Sequence, residues 1–281
     1  MFRACLRLSV CVLLTACVSP LEDRRFDNHL VRMEQNEDLA RLLPRESDRD
    51  RIRRLLGPRV GLVQTGSEEA SLSGSSGRAA ALTSDGYFLT AWHVVSEGSF
   101  YLEELRLVKK LPAGRITLEQ AEGAFAIDRY PGRIVWSQPD LDLALVEFPG
   151  VKSVPFRKLG AIPQKGALVC TSDDTGFGFY DPRYGIPSLV GNGSFLAAGQ
   201  ILEVNAPKIP GSPRILVTDL VARGGMSGAP LSTPSGTLLG IITRAQSSYF
   251  EPQDIETVAT MVSPELLRNL IAADRRSPAS R

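Results

Sequence analysis

Gly77-Arg78-Ala79-Ala80-Ala81-Leu82-Thr83-Ser84-Asp85-Gly86-Tyr87-Phe88-Leu89-Thr90-Ala91-Trp92-His93-Val94-Val95 is the stretch whose reading decides the fold. Ala79–Leu82 and Tyr87–Thr90 are short apolar runs on either side of Ser84-Asp85-Gly86. Asp-Gly between two such runs predicts a β-hairpin. His93 follows the hairpin directly. The chain of 281 residues has one other histidine, His29, in a charge-rich N-terminal stretch. Histidine is the simplest general base at neutral pH, so His93 is the base candidate of any histidine-dependent hydrolysis here.

Working outward, short apolar runs recur between turn residues. Strands are expected at Val60–Gln64, Leu105–Leu111, Ala124–Arg129, Gly132–Trp136, Ala144–Phe148, Ala167–Thr171, Gln200–Val204, Arg214–Thr218 and Leu238–Thr243. The 25 Gly and 19 Pro suit many turns between them. Ser67 to Gly77 is Ser- and Gly-rich and reads as a loop. Pro264–Ala273 reads as a C-terminal helix. The fold class is therefore all-β, a sandwich or a pair of barrels, with one terminal helix.

A nucleophile candidate lies in Arg223-Gly224-Gly225-Met226-Ser227-Gly228-Ala229-Pro230. Glycines on both sides of Ser227 let the chain bend sharply and expose the hydroxyl. The N–H groups of Gly225 and Ser227 could then converge on one point, as an oxyanion hole requires. The acid is expected from Asp140-Leu141-Asp142-Leu143-Ala144-Leu145-Val146. Asp142 directly precedes the apolar strand, where it could orient the imidazole; Asp140 is the alternative, nearer the turn at Pro139. Each motif alone admits a plainer reading: a core histidine, a strand-end cap, a tight turn. The order His, Asp, Ser is that of one established triad template.

The stretch Gly77–Val95, Asp142-Leu143-Ala144-Leu145, Thr218-Asp219 with Arg223-Gly224 and Ser227-Gly228, and Gly240-Ile241-Ile242-Thr243 together resemble the bacterial Deg/HtrA-type, trypsin-like serine proteases over roughly residues 58–270. The resemblance implies two perpendicular six-stranded β-barrels with a His93-Asp142-Ser227 triad between them, and no cofactor or metal. Met226 stands where that family usually has Asn or Asp, and Ala229 where it commonly has glycine. Val221, Thr243 and Ala245 should line the pocket for the residue before the scissile bond. None is acidic, so a small or medium apolar residue is expected there rather than Arg or Lys. Few residues follow the protease-like region, so no PDZ domain is expected. Ser172 to Leu196 looks longer than the matching family loop, with Phe177, Phe179, Tyr180, Tyr184 and Phe195 among glycines, and reads as a substrate-side loop or surface packing.

The first residues read as a targeting segment. Arg3 and Arg7 precede the apolar run Leu8–Leu14, which is short for a membrane span. Leu14-Thr15-Ala16-Cys17 resembles a bacterial lipobox and implies cleavage after residue 16, with lipid on Cys17. Val18 after the cysteine favours the outer over the inner membrane, facing the periplasm. Residues 17–57 are expected to form a charged, solvated helical spacer, with a helix over Ser47–Leu56, a Ser47/Asp50 capping box and a stop at Gly57. Residues 274–281 read as a disordered tail.

Charge and cysteine usage add limits. Formal net charge is +1, which favours no nucleic-acid partner. Loss of Arg3 and Arg7 with the signal leaves 30 basic against 31 acidic residues. Of the four cysteines only Cys170 would remain as a thiol, so no internal disulfide is expected and Cys170 reads as a small buried hydrophobe. The function implied is a serine endopeptidase acting on protein or peptide substrates in the cell envelope. The alternative is a catalytically silent lipoprotein of the same fold that binds partner or unfolded proteins. The oligomeric state is not legible.

Overall fold

The computed structural model describes residues 37–65, 76–107, 125–156, 158–173, 195–205, 213–222, 225–247 and 255–277. The expected hairpin is present: β2 (Ser76–Ala81) pairs antiparallel with β3 (Tyr87–Thr90), with Ala79 opposite Thr90. Around it, β1 (Val60–Thr65), β4 (Phe100–Leu107), β5 (Phe125–Pro131), β6 (Arg133–Gln138) and β7 (Leu143–Glu147) complete a seven-stranded sheet. Its order is β5-β4-β1-β2-β3-β7-β6. Alternation turns Val63, Ala79, Ala81, Phe88, Phe100, Leu102, Ala144, Val146 and Phe148 to one face, where they are buried together. Phe148 meets Phe88 and Phe100 edge-on, with ring centroids 5.5 and 5.9 Å apart. The edge strands β5 and β6 are consecutive in the chain, joined through Gly132, but share no ladder. This sheet is a half-barrel.

The second sheet closes. It contains β8 (Lys158–Leu159), β9 (Leu168–Asp173), β10 (Phe195–Asn205), β11 (Arg214–Thr218), β12 (Pro230–Ser232), β13 (Thr237–Ser247) and β14 (Ile255–Met261). Its order is β12-β9-β10-β11-β14-β13-β8, and a further β12–β13 pairing completes a six-stranded ring, with β8 outside it. Val169, Ala197, Ile201, Leu216, Leu231, Ile242 and Ala259 fill the ring. The all-β, two-barrel trypsin-like fold is thus as expected, with one barrel closed and the other open.

Three strands escaped the periodicity. β8 and β12 have two and three residues, too few to show a period. β14 carries Thr257, Ala259 and Thr260 at 0% exposure, so both its faces are buried and polar–apolar alternation is lost. Three expected strands run well beyond their apolar runs. β4 begins at Phe100, not Leu105, β10 at Phe195, not Gln200, and β13 continues to Ser247, past Thr243. Of the long Ser172–Leu196 loop, residues 174–194 lie outside the described residues, as do Cys17 and the leader.

The helical segment before the barrels is not a solvated spacer. α1 (Glu37–Leu42) and α2 (Glu46–Leu56) pack on β9 and β10. Leu39, Leu43, Ile52 and Leu56 join Cys170, Leu196, Ala198, Leu238 and Ile271 in one core. The charges that suggested solvation lie on the outer face and pair locally, as in Arg49–Glu46 and Arg53–Asp50. Arg45 is the N-cap of α2 and provides no side-chain cap, so the expected Ser47/Asp50 box is not what starts the helix. Gly57 does end it.

The short helix α3 (Trp92–Val95) follows β3, and α4 (Pro264–Asp274) ends the fold. Ser263 caps α4 by accepting the Leu266 N–H, with Pro264 at the first helical position. The end of α4 is not a free tail. Asp274 accepts from Tyr87 Oη (2.8 Å) and Arg133 Nη1 (3.0 Å), and Arg275 Nη2 donates to both oxygens of Asp85 (2.8 Å each). Burial and the Asp274 hydrogen bond push the Tyr87 phenol up to about 12.

Since Leu56 is fully buried, Leu56→Ala should lower unfolding stability in urea by about 2–5 kcal/mol. A side chain on a solvated spacer would change it by no more than about 0.5 kcal/mol.

Candidate active site

His93 sits in the first turn of α3, on the open end of the β2–β3 hairpin. Asp142 ends a 3-10 turn, Pro139–Leu141, between β6 and β7. It is the one non-glycine residue with positive φ among those described, at φ 51° and ψ 48°. Asp tolerates this conformation better than most residues. The bend turns both carboxylate oxygens onto the α3 segment. His93 Nδ1 lies 2.7 Å from Asp142 Oδ2, and the His93 backbone N–H donates to Oδ1 at 2.8 Å. The Trp92 N–H donates to the Asp142 carbonyl at 3.1 Å. Asp140, the alternative acid, is exposed on the turn and outside this contact.

The hydrogen bond that His93 donates to Asp142 raises the His93 pKa above its ordinary 6.5, against the opposing effect of partial burial and with added help from the aspartate charge. With its Nδ1 side engaged by Asp142, the ring has Nε2 left to act on a proton. His93 is about half exposed, 47% by side chain, as a base open to a substrate must be.

Sequence reading missed a residue behind Asp142. Thr260, on β14 and fully buried, donates its hydroxyl to the Leu141 carbonyl at 3.1 Å. The turn that aims Asp142 is therefore held by the other barrel. Nothing local in Ala259-Thr260-Met261 signals this, because the partner is 119 residues away.

Ser227 occupies the second position of a turn closed by Ala229 N–H to Met226 carbonyl, 2.9 Å. Gly228 follows with φ +85°, the positive value that a type II turn demands at that place. The turn docks on the first barrel. The Arg78 N–H donates to the Ser227 carbonyl at 2.7 Å, and a Cβ on Gly228 would lie 1.8 Å from the Arg78 carbonyl oxygen. A Cβ on Gly77 would strike both Val94, the neighbour of His93, and the Ser227 carbonyl. Ser227 is thus held alongside α3, half-buried. Among the described residues no hydrogen bond joins Ser227 Oγ to His93, and the N–H groups of Gly225 and Ser227 have no partner. Gly225 has φ +80°; Arg223 and Gly224 lie outside the described residues. Met226 is 1% exposed and plugs the second barrel's core.

The three pocket candidates fare unequally. Val221 is half-buried after β11. Thr243 is the extra residue of a β-bulge between Ile242 and Arg244. Its hydroxyl turns inward, to the Val258 carbonyl (3.3 Å) and Thr260 Oγ1 (3.5 Å). It backs the Thr260–Leu141 contact instead of presenting a hydroxyl to a pocket. Ala245, on β13, pairs with Thr257 of β14, and its side chain lies outside the described residues. Cys170 is buried, and burial pushes its thiol up to about 12, so it is no nucleophile at neutral pH.

The family description "Trypsin-like peptidase domain" matches residues 76–241, from β2 into β13. The chain belongs to the trypsin-like peptidase domain family. No curated protein sequence matches it significantly. Among solved structures, the HtrA-type protease AlgW, a serine-to-alanine variant with a tripeptide, aligns with TM-score 0.52 and 20% identity, covering 80% of this chain and 62% of that one. The MamO protease domain from Magnetospirillum magneticum, apo form, aligns with TM-score 0.49 and 20% identity over 76% of this chain and 96% of its own. At such identity the AlgW likeness speaks to the fold. Within this trypsin-like peptidase domain, His93 and Asp142 are joined, and the Ser227 turn is docked on Arg78 of the first barrel.

The His93–Asp142 pair makes a pH prediction. Protonated His93 is favoured in the fold, so its contribution to stability is full below 6.5 and lost as pH rises through the raised folded pKa. An NMR titration should place His93 above 6.5 in the wild type. In Asp142→Asn only the effect of burial remains, and the value should fall to 6.5 or lower.

Proposed function

We propose that this trypsin-like peptidase is an active serine endopeptidase. The observation that carries the reading is the two-oxygen grip of Asp142 on His93, at 2.7 and 2.8 Å, beside a glycine-flanked serine. Ser227 Oγ attacks a peptide carbonyl as His93 Nε2 takes its proton. Asp142 keeps the ring in the tautomer with hydrogen on Nδ1 and stabilises the imidazolium. The N–H groups of Gly225 and Ser227 receive the developing oxyanion. His93 then protonates the leaving amine, and water hydrolyses the acyl-enzyme with His93 again as base.

A silent binding protein of the same fold is the second reading, and the lack of a Ser227–His93 hydrogen bond is what favours it. Catalytic hydrogen bonds are often long before substrate arrives, so we rank it second. Substrates are proteins or peptides of the bacterial envelope. The Leu14-Thr15-Ala16-Cys17 tetrad supports a lipid anchor on Cys17, outer membrane before inner. Among the described residues no helix is long and apolar enough to cross a membrane. Val221, half-buried after β11 and apolar, supports a small or medium apolar residue before the scissile bond.

A fluorophosphonate probe should label the wild type and not Ser227→Ala; no labelling of the wild type would sink the enzyme reading. A peptide-library profile should show cleavage after small or medium apolar residues. One dominated by Arg or Lys would overturn the pocket assignment.

A further inference from the structure

The connection between the barrels, residues 148–167, carries chemistry that the active site does not use. From Phe148 to Ser172 there is no acidic residue, while Lys152, Arg157, Lys158 and Lys165 are basic. Lys152, Lys158 and Lys165 are exposed. Val151 and Phe156 anchor the connection in the core. Between these anchors and beyond them, Val154 (46%) and Ile162 (50%) point to solvent. Among the described residues the only other exposed large hydrophobic is Ile134. A cleft of about 550 Å³ lies under the connection, lined by Phe156, Lys158, Leu159, Thr237, Pro264 and Arg268. Lys158 and Arg268 thus bring two cations to one recess; the acid on the same helix face as Arg268 is Glu265, one turn earlier.

Register puts this surface away from the triad. Ser153 and Phe156 bond to Thr83 and Ala81, at the turn end of the hairpin, whereas Arg78 and Thr90 mark its catalytic end. Gly160 bonds to Leu238 at the start of β13, while Gly228 bonds to Ile242 further along it. Three to four strand residues separate the two ends, on the order of 10–15 Å in each barrel.

We infer that Lys152, Val154, Lys158, Ile162, Lys165 and Arg268 form a docking surface for an anionic lipid bilayer. Scattered cations hold lipid phosphates, and Val154 and Ile162 enter the acyl boundary between them. Charge complementarity decides the occupant: a run with no acid, carrying isolated aliphatic tips, matches an anionic interface, and a phosphate headgroup fits the Lys158–Arg268 recess. The inference does not require the peptidase to be active, nor acylation of Cys17.

The test is co-sedimentation of the full chain carrying Cys17→Ser with vesicles of phosphatidylglycerol in phosphatidylethanolamine, and with vesicles of phosphatidylcholine alone. Binding should be roughly 10- to 100-fold tighter to the anionic vesicles. That preference should vanish when Lys152, Lys158, Lys165 and Arg268 are all changed to Glu. The milder pair Lys158→Gln and Arg268→Gln should lower it partway, which keeps the test open if the fourfold variant does not fold. Val154→Ser with Ile162→Ser should weaken anionic binding. A preference that survives both charge variants overturns the inference. So does equal binding to the two vesicle types, which would assign the surface to a protein partner.

Discussion

A single backbone hydrogen bond across two barrels, from the Arg78 N–H to the Ser227 carbonyl, sets the spacing on which the site depends. His93 and Asp142 belong to the first barrel and Ser227 to the second, so chemistry requires the barrels to be seated to within a fraction of an ångström. The 2.7 Å bond is possible because neither Gly77 nor Gly228 carries a side chain at the contact. A methyl group at Gly228 would overlap the Arg78 carbonyl oxygen and would also have to accept φ +85°. The glycines that the motif displays are therefore needed for docking as much as for exposing a hydroxyl.

The terminal helices secure the same seating from outside. α2 packs on the closed barrel yet runs through Gly57–Arg59 straight into β1 of the open one. α4 leaves β14 of the closed barrel and ends on Arg133 and Tyr87 of the open one. Each barrel is thus strapped by a helix belonging in sequence to the other. The half-open sheet has no seventh ladder to close it, and Asp274 on Arg133, in the edge strand β6, compensates in part. Arg133 also pairs with Glu147 on β7, tying the edge strand to its neighbour by side chains as well as by its ladder.

The fold was legible where structure is local. Asp85-Gly86 between two apolar runs announced the hairpin, and the turn around Ser227 was announced by its glycines. Elements whose burial comes from distant partners were not legible. Charged α1 and α2 read as solvated because opposite charges are intermixed along them, yet Ile52 and Leu56 are fully buried against strands more than a hundred residues away. Thr243 read as a pocket wall because the family resemblance implied it; the bulge at Ile242/Arg244, which no local sequence signal announces, turns its hydroxyl inward.

Asp142 was the least distinct of the three candidate site residues in sequence, since Asp140 stands two residues away. Geometry separates them by cost and return. A non-glycine residue in the left-handed region costs on the order of 1–3 kcal/mol. Asp142 recovers it through hydrogen bonds from the His93 ring, the His93 N–H and the Trp92 N–H, each contributing about 1 kcal/mol or more net where charge is involved. The Thr260 hydroxyl on Leu141 adds a fourth bond that holds the turn in place. Without the left-handed bend the carboxylate would follow the strand and could not reach both the ring and the backbone of α3. The strain at Asp142 therefore serves to aim the carboxylate, and Thr260, from the opposite barrel, makes that aim depend on the two barrels being together.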